Sequence, residues 1–222
     1  PYGSKFGEET YFLYDYPKAI EITADQKNYI SGYIDDFEAA LLADDFENEN
    51  RTYTDYIDVR SFVDLFIINE LCRNVDGYRL STFLYKDKGG KLNVGPPWDF
   101  NIGFDYGDGR VAWDDWVINY NTSNGSDAWL IHFWWPRLLE DPVFRSAVKT
   151  RWESLRSSVL SDASIINEID QHADYLIENN AIDRNYNKWD PNGMVNYSTS
   201  IESLKAFLDF RADWMDAEIA NF

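Results

Sequence analysis

Residues 58–87 read DVRSFVDLFIINELCRNVDGYRLSTFLYKD, and this stretch decides the fold. Apolar side chains recur at helical spacing between Phe62 and Cys72, which predicts a helix that begins near Asp58. The helix should end near Asn74, where the sequence becomes typical of a turn. The following residues, 79–86, alternate and are rich in Thr, Phe, Leu and Tyr, which predicts a β-strand.

A β-hairpin should follow this helix. Lys88-Gly89-Gly90 is typical of a turn, and residues 91–94 would return as the partner strand. The next residues, 95–101, read GPPWDFN, and their two prolines end the regular structure.

The rest of the chain is predicted to be mainly helical. Thr23 and Gln26 have the spacing of a capping box, and Asp141-Pro142 is a typical helix start. A box formed by Thr199 and Glu202 predicts that the last helix begins near residue 198 or 199. Two strands among several helices give the fold class α+β, predominantly α, with a small β-hairpin.

Composition excludes some functions. The 222 residues carry a formal net charge of −19, and such a surface repels nucleic acids and anionic membranes. We find no apolar run long enough to span a bilayer. The 9 Trp, 15 Tyr and 14 Phe predict an aromatic core, although some of these rings could instead line a groove for a ligand.

Asp76 and Asp99 are the main candidates for chemistry. Asp76 follows the helix, Asp99 follows the hairpin, and a hairpin brings its two ends together. Neighbouring carboxylates repel each other unless a proton or a cation relieves the repulsion. Mg²⁺ takes such carboxylates together with substrate phosphates, and Asn69, Asn74 and Asn101 could add neutral oxygen ligands or hydrogen bonds.

Two interpretations of this pair stay open from the residues alone. In kinase-type phosphoryl transfer, one Asp accepts the proton of the acceptor hydroxyl and a second Asp holds the metal. Alternatively, Asp76 caps a turn before Gly77 and Asp99 caps a loop, with no chemistry at either residue.

Residues 58–87 and 95–101 resemble the CotH family of spore-coat and secreted kinase-like proteins. The most specific elements are Asn-Val-Asp-Gly-Tyr at residues 74–78 and Trp-Asp-Phe at residues 98–100. Further matches, such as Arg151-Trp152, extend the resemblance over most of the chain, from about residue 11 to residue 219.

The resemblance implies the helical C-lobe of a kinase-like fold that uses ATP and a divalent cation, Mg²⁺ with Mn²⁺ or Ca²⁺ as alternatives, to phosphorylate proteins. Asp76 matches the catalytic aspartate of the family, and Asp99 matches its metal ligand. Asn101 stands where the family often has a second metal-binding Asp. Asn74 and Asn101 are therefore expected to support the cofactor, with Asn101 also at the metal.

The sequence also departs from the family pattern. We expect residues 1–222 to form a single CotH-like domain without a recognisable N-terminal lobe that would cover the nucleotide. The family further implies a secreted or cell-surface protein, with a spore coat as one location. The alternative function is a non-catalytic scaffold or binding module in a secreted or cell-surface multidomain protein.

A second candidate cation site lies in an acidic, glycine-rich loop. Residues 105–110 read DYGDGR, and Asp114-Asp115 follow. Because the spacing of these residues is not that of an EF-hand, the sequence favours a solvated loop over a Ca²⁺ site.

Overall fold

A computed structural model of the chain describes residues 1–7, 10–105, 110–190, 193 and 196–222. The strands are β1 (Tyr2–Gly3), β2 (Tyr11–Phe12), β3 (Leu84–Lys86) and β4 (Leu92–Val94). The α-helices are α1 (Ala24–Leu42), α2 (Val59–Cys72), α3 (Tyr120–Ser123), α4 (Trp134–Leu138), α5 (Pro142–Arg156), α6 (Asp162–Glu178), α7 (Ala181–Trp189) and α8 (Tyr197–Ile219). Short 3-10 helices span Thr52–Asp55, Val75–Tyr78 and Val117–Asn119.

The predicted fold class, α+β and predominantly α, is confirmed. The strands of the described residues form two antiparallel pairs, β1 with β2 and β3 with β4. Helix α2 is the centre of the fold and packs against α5, α8 and β4. The core around it is rich in aromatic rings, as its composition predicts, and includes the fully or nearly fully buried Phe62, Phe66, Trp134, Trp135 and Trp152.

Local capping explains where the main helices begin. Thr23 and Gln26 form the predicted capping box of α1, with both reciprocal hydrogen bonds present. Asp58 caps α2 by accepting the backbone N–H of Ser61 at 2.8 Å. Asp141 caps α5, whose first residue is Pro142.

One predicted helix cap and one predicted strand boundary are wrong. Asn196, and not Thr199, caps α8: its side chain accepts the backbone N–H of Thr199 at 3.1 Å. The strand predicted over residues 79–86 is limited to β3, because the chain is still turning between Asp76 and Ser81.

The hairpin places its two ends side by side. Leu84 pairs with Val94, and the backbone N–H of Gly95 donates to the carbonyl of Phe83 at 2.8 Å. The segment before β3 and the segment after β4 therefore start from the same edge of the hairpin. This edge lies beside the first turn of α2, since the N–H of Val94 donates to the Ser61 hydroxyl at 3.2 Å.

Candidate functional site

Buried side chains hold the turn that carries Asp76 in place. Arg73 directly follows the last residue of α2 and adopts a left-handed conformation with φ of 53°, and the 3-10 turn begins two residues later at Val75. Tyr78 is buried, and its hydroxyl donates to the carbonyl of Phe66 and to the Glu70 carboxylate, both at 3.1 Å. Asp76 therefore sits on a rigid turn with its side chain about one quarter exposed, at 23%.

Burial shifts the pKa values of the two groups under this turn. Glu70 has no exposed surface, and desolvation raises the pKa of its carboxyl group to about 7. Arg211 and the backbone N–H groups of Val117 and Ile118 oppose that rise. Burial, together with the Glu70 charge, raises the pKa of Tyr78 well above its ordinary value, so the Tyr78 hydroxyl stays a hydrogen-bond donor.

Gly77 allows the turn to approach Asn69 of α2. The Asn69 side chain donates through Nδ2 to the carbonyl of Gly77 at 2.9 Å. A Cβ atom on Gly77 would lie only 2.3 Å from Asn69 Oδ1. Only glycine fits here, because the carboxamide of Asn69 fills the space that a side chain would need.

The Asp76 carboxylate has one occupied oxygen. Arg79 donates to Asp76 Oδ1 through Nε at 3.1 Å and through Nη2 at 2.8 Å. No hydrogen bond from the described part of the chain engages Asp76 Oδ2. This oxygen is therefore free to accept a proton or a ligand.

Ser81 contacts both aspartates. Its backbone N–H donates to the carbonyl of Asp76 at 2.8 Å, and its hydroxyl lies 3.5 Å from Asp99 Oδ2. Asp99 is exposed and has a left-handed backbone with φ of 58°. Asp76 and Asp99 thus share Ser81 as a neighbour, which contacts the backbone of Asp76 and the carboxylate of Asp99.

Sequence reasoning missed Ser81, although a signal for it exists. In protein-kinase catalytic loops, a metal-binding Asn stands five residues after the catalytic Asp. Ser81 stands five residues after Asp76, which is the corresponding spacing.

The two asparagines have different surroundings. Asn74 is fully buried under the turn, and neither polar atom of its side chain has a hydrogen-bond partner among the described residues. Asn101 is exposed in the loop that follows Asp99. This loop docks on α2, since the N–H of Phe104 donates to the carbonyl of Cys72 at 2.7 Å.

The oxygen donors near Asp99 are of the kinds that a hard cation takes. Asp99 offers a carboxylate and Ser81 a hydroxyl 3.5 Å away, and Asn101, two residues after Asp99, has an amide oxygen. Mg²⁺ takes such oxygens together with water and phosphate oxygens. In the described ranges no three His, Cys, Asp or Glu side chains form a group that could hold a metal ion.

The second candidate cation loop is described only in part. Its residues 106–109 lie outside the described residues. Asp105 accepts hydrogen bonds from Arg73 Nη2 at 2.6 Å and from Trp113 Nε1 at 3.0 Å, so these protein groups already occupy its Oδ1 atom.

Comparisons with known proteins agree with the resemblance of the central motifs. A family model described as CotH kinase protein matches residues 2–215. No curated protein and no solved structure matches the chain significantly. None of the helices in the described ranges is both long enough and apolar enough to cross a lipid bilayer.

Proposed function

Since the chain belongs to the CotH kinase family, we propose that Asp76, Ser81 and Asp99 form a phosphotransfer site. The site would use ATP and a divalent cation to phosphorylate a hydroxyl group of a protein substrate. The observation that carries the proposal is the position of Ser81, which contacts both the Asp76 backbone and the Asp99 carboxylate.

Asp76 acts as the general base in this proposal. Its Oδ2 atom takes the proton of the acceptor hydroxyl while the hydroxyl oxygen bonds to the γ-phosphorus and ADP leaves. Arg79 occupies the other oxygen and so leaves Oδ2 available.

Asp99 is the proposed metal ligand, with Asn101 and Ser81 as neutral oxygen donors. When bound, the cation neutralises charge on the phosphate oxygens. Asn101 contributes no charge, so this chain places fewer formal negative charges at the site than a pair of aspartates would. Asn74 supports the site from beneath the turn, where its carboxamide is buried.

A non-catalytic scaffold or binding module is the second candidate. Two observations favour it. Within the described ranges, no three His, Cys, Asp or Glu side chains form a group that could hold a metal ion, and Asp76 is paired with a buried arginine. Both proposals are compatible with secretion, a cell-surface position or a spore-coat position. Only the family supports these locations.

Cation binding can be tested on this chain without an activity assay. Titration with Mn²⁺, followed by electron paramagnetic resonance of the free ion, should show a site that Asp99→Asn weakens by about tenfold or more. Asp87→Asn is the matched control, because Asp87 is exposed in the turn of the same hairpin. Equal Mn²⁺ affinity in all three proteins would refute the metal role of Asp99.

Catalysis is tested with the complete protein and labelled ATP. Asp76→Asn should lower phosphate incorporation by about a hundredfold or more, since a general base contributes on this scale. Asp99→Asn should also abolish most transfer, whereas Asp87→Asn should not. Equal incorporation by the wild type, Asp76→Asn and Asp99→Asn would remove both assigned roles.

A further inference from the structure

We infer that Arg79 is a positioning residue that fixes the Asp76 carboxylate to the distant segment around α3. This inference rests on the proposed function, because it concerns the orientation of the proposed base. Independently of that function, one guanidinium group mechanically links the turn of Asp76 to residues 120–129.

The contacts of Arg79 are divided between two segments of the chain. On one side, Nε and Nη2 hold Asp76 Oδ1 at 3.1 and 2.8 Å. On the other side, Nη1 donates to the carbonyl of Trp129 at 2.5 Å and lies 3.1 Å from Asp127 Oδ2. The guanidinium carbon also lies 4.6 Å from the centre of the Tyr120 ring, within the range of a cation–π interaction.

The far end of this link is itself held in place. Tyr120 is buried in the core, and its hydroxyl donates to Asp127 Oδ2. The backbone N–H of Trp129 donates to Asp127 Oδ1 at 3.0 Å. The hydrogen bond from Tyr120, followed by those from Trp129 and Arg79, lowers the pKa of Asp127 below its usual range. Asp127 is therefore an anion that attracts the Arg79 guanidinium group.

The geometry suits positioning more than simple charge neutralisation. The Arg79 side chain is only 3% exposed, so the guanidinium cannot turn towards water when one partner is lost. Two donors on one Asp76 oxygen restrict rotation of the carboxylate, and the free Oδ2 atom takes a fixed direction. Lysine carries the same charge on a flexible stem but has no planar fork, so it cannot reproduce this restriction.

Kinetics of the complete protein separate positioning from structural support. Arg79→Lys should lower kcat by about ten- to a hundredfold while the KM for ATP stays within about twofold, because misplacement of a catalytic group affects the chemical step. Added guanidinium ion should restore part of kcat in Arg79→Ala. Arg60→Lys is the control, since Arg60 is an exposed arginine of α2 that pairs with Asp64.

Hydrogen exchange on this chain tests the link without activity. The N–H groups of Leu80 and Ser81 donate to the carbonyl of Asp76. Asp127→Ala should accelerate exchange of these two amides, although it lies more than forty residues away, and Asp87→Ala should not. Unchanged exchange at Leu80 and Ser81 in Asp127→Ala would overturn the link.

The two experiments distinguish the inference from the proposed function. If the wild type transfers no phosphate but Asp127→Ala accelerates exchange at Leu80 and Ser81, the proposed function fails and the link stands. If the wild type is active and Arg79→Lys keeps a normal kcat, the positioning role is refuted while the phosphotransfer site remains.

Discussion

Substitution of Gly77 by alanine should destabilise the protein through one identified contact. The new Cβ atom would lie 2.3 Å from Oδ1 and 2.6 Å from Cγ and Nδ2 of Asn69. Asn69 is 1% exposed, so its carboxamide has no route to solvent. It must move aside, and its hydrogen bond to the Gly77 carbonyl is then lost.

The cost of this substitution follows from three effects. The lost hydrogen bond removes about 1 kcal/mol, and a buried Nδ2 group without a partner costs about 1–3 kcal/mol. Overpacking against the end of α2 adds about 1–3 kcal/mol. Because these effects overlap, we expect the free energy of unfolding to fall by about 3–5 kcal/mol.

A double-mutant cycle tests this reasoning. In Asn69→Ala the space for a Cβ atom already exists, so adding Gly77→Ala should cost only about 1 kcal/mol, and the two changes should be coupled by about 2–4 kcal/mol. Urea unfolding followed by tryptophan fluorescence measures all four proteins. Gly32→Ala in α1 is the control: no heavy atom lies within 4 Å of its added Cβ, so it should stabilise the helix by about 0.5–1 kcal/mol. Additive costs in the cycle would refute the steric explanation.

Two further predictions concern buried carboxyl groups. Burial raises the pKa of Glu70 to about 7 from its ordinary value of 4.5, so the native state retains a proton that the unfolded chain releases, and stability from this group falls as pH rises through this window. Urea unfolding between pH 5 and 8 should show that wild-type stability declines relative to Glu70→Gln by up to about 3 kcal/mol, and a constant difference would contradict it. Asp141→Ala should cost about 3 kcal/mol, because the buried carboxylate caps α5 and binds Arg51 Nε at 3.0 Å and the Tyr53 hydroxyl at 2.7 Å. Calorimetry should show a smaller loss for Asp141→Asn, which keeps the cap, and equal losses would exclude this explanation.

The positions of the long helices could be predicted because their signals are local. The caps at Thr23, Asp58 and Asp141 each act on an N–H group two or three residues ahead, so the relevant partners are visible in the sequence. The start of α8 lies within two residues of its predicted position, but its capping residue was assigned incorrectly. Asn196 and Thr199 are both good capping residues three positions apart, and composition alone does not decide between them.

The sequence predicts the main pair of the candidate site but not its surroundings. A hairpin constrains the distance between its ends, which is why Asp76 and Asp99 could be placed at one edge from sequence alone. Extension of the predicted strand back to residue 79 assigned Arg79 and Ser81 to a regular strand. In the structure these residues belong to the turn, where their side chains contact Asp76 and Asp99.

The long-range contacts around the site are made by buried arginines. The composition of a chain with a net charge of −19 does not indicate which arginines are buried. Residues 110–130 contain only short helical segments, so many of their carbonyl groups have no partner within regular structure. Arginine presents five donors and can satisfy such carbonyls while it also binds a carboxylate. Three side chains no more than 3% exposed do this: Arg73 binds the carbonyl of Val111 at 2.6 Å, Arg79 that of Trp129 at 2.5 Å, and Arg211 that of Asp115 at 2.9 Å. The irregular segment is thus fastened to the structure around the end of α2 by guanidinium groups, and the orientation of Asp76 depends on one of them.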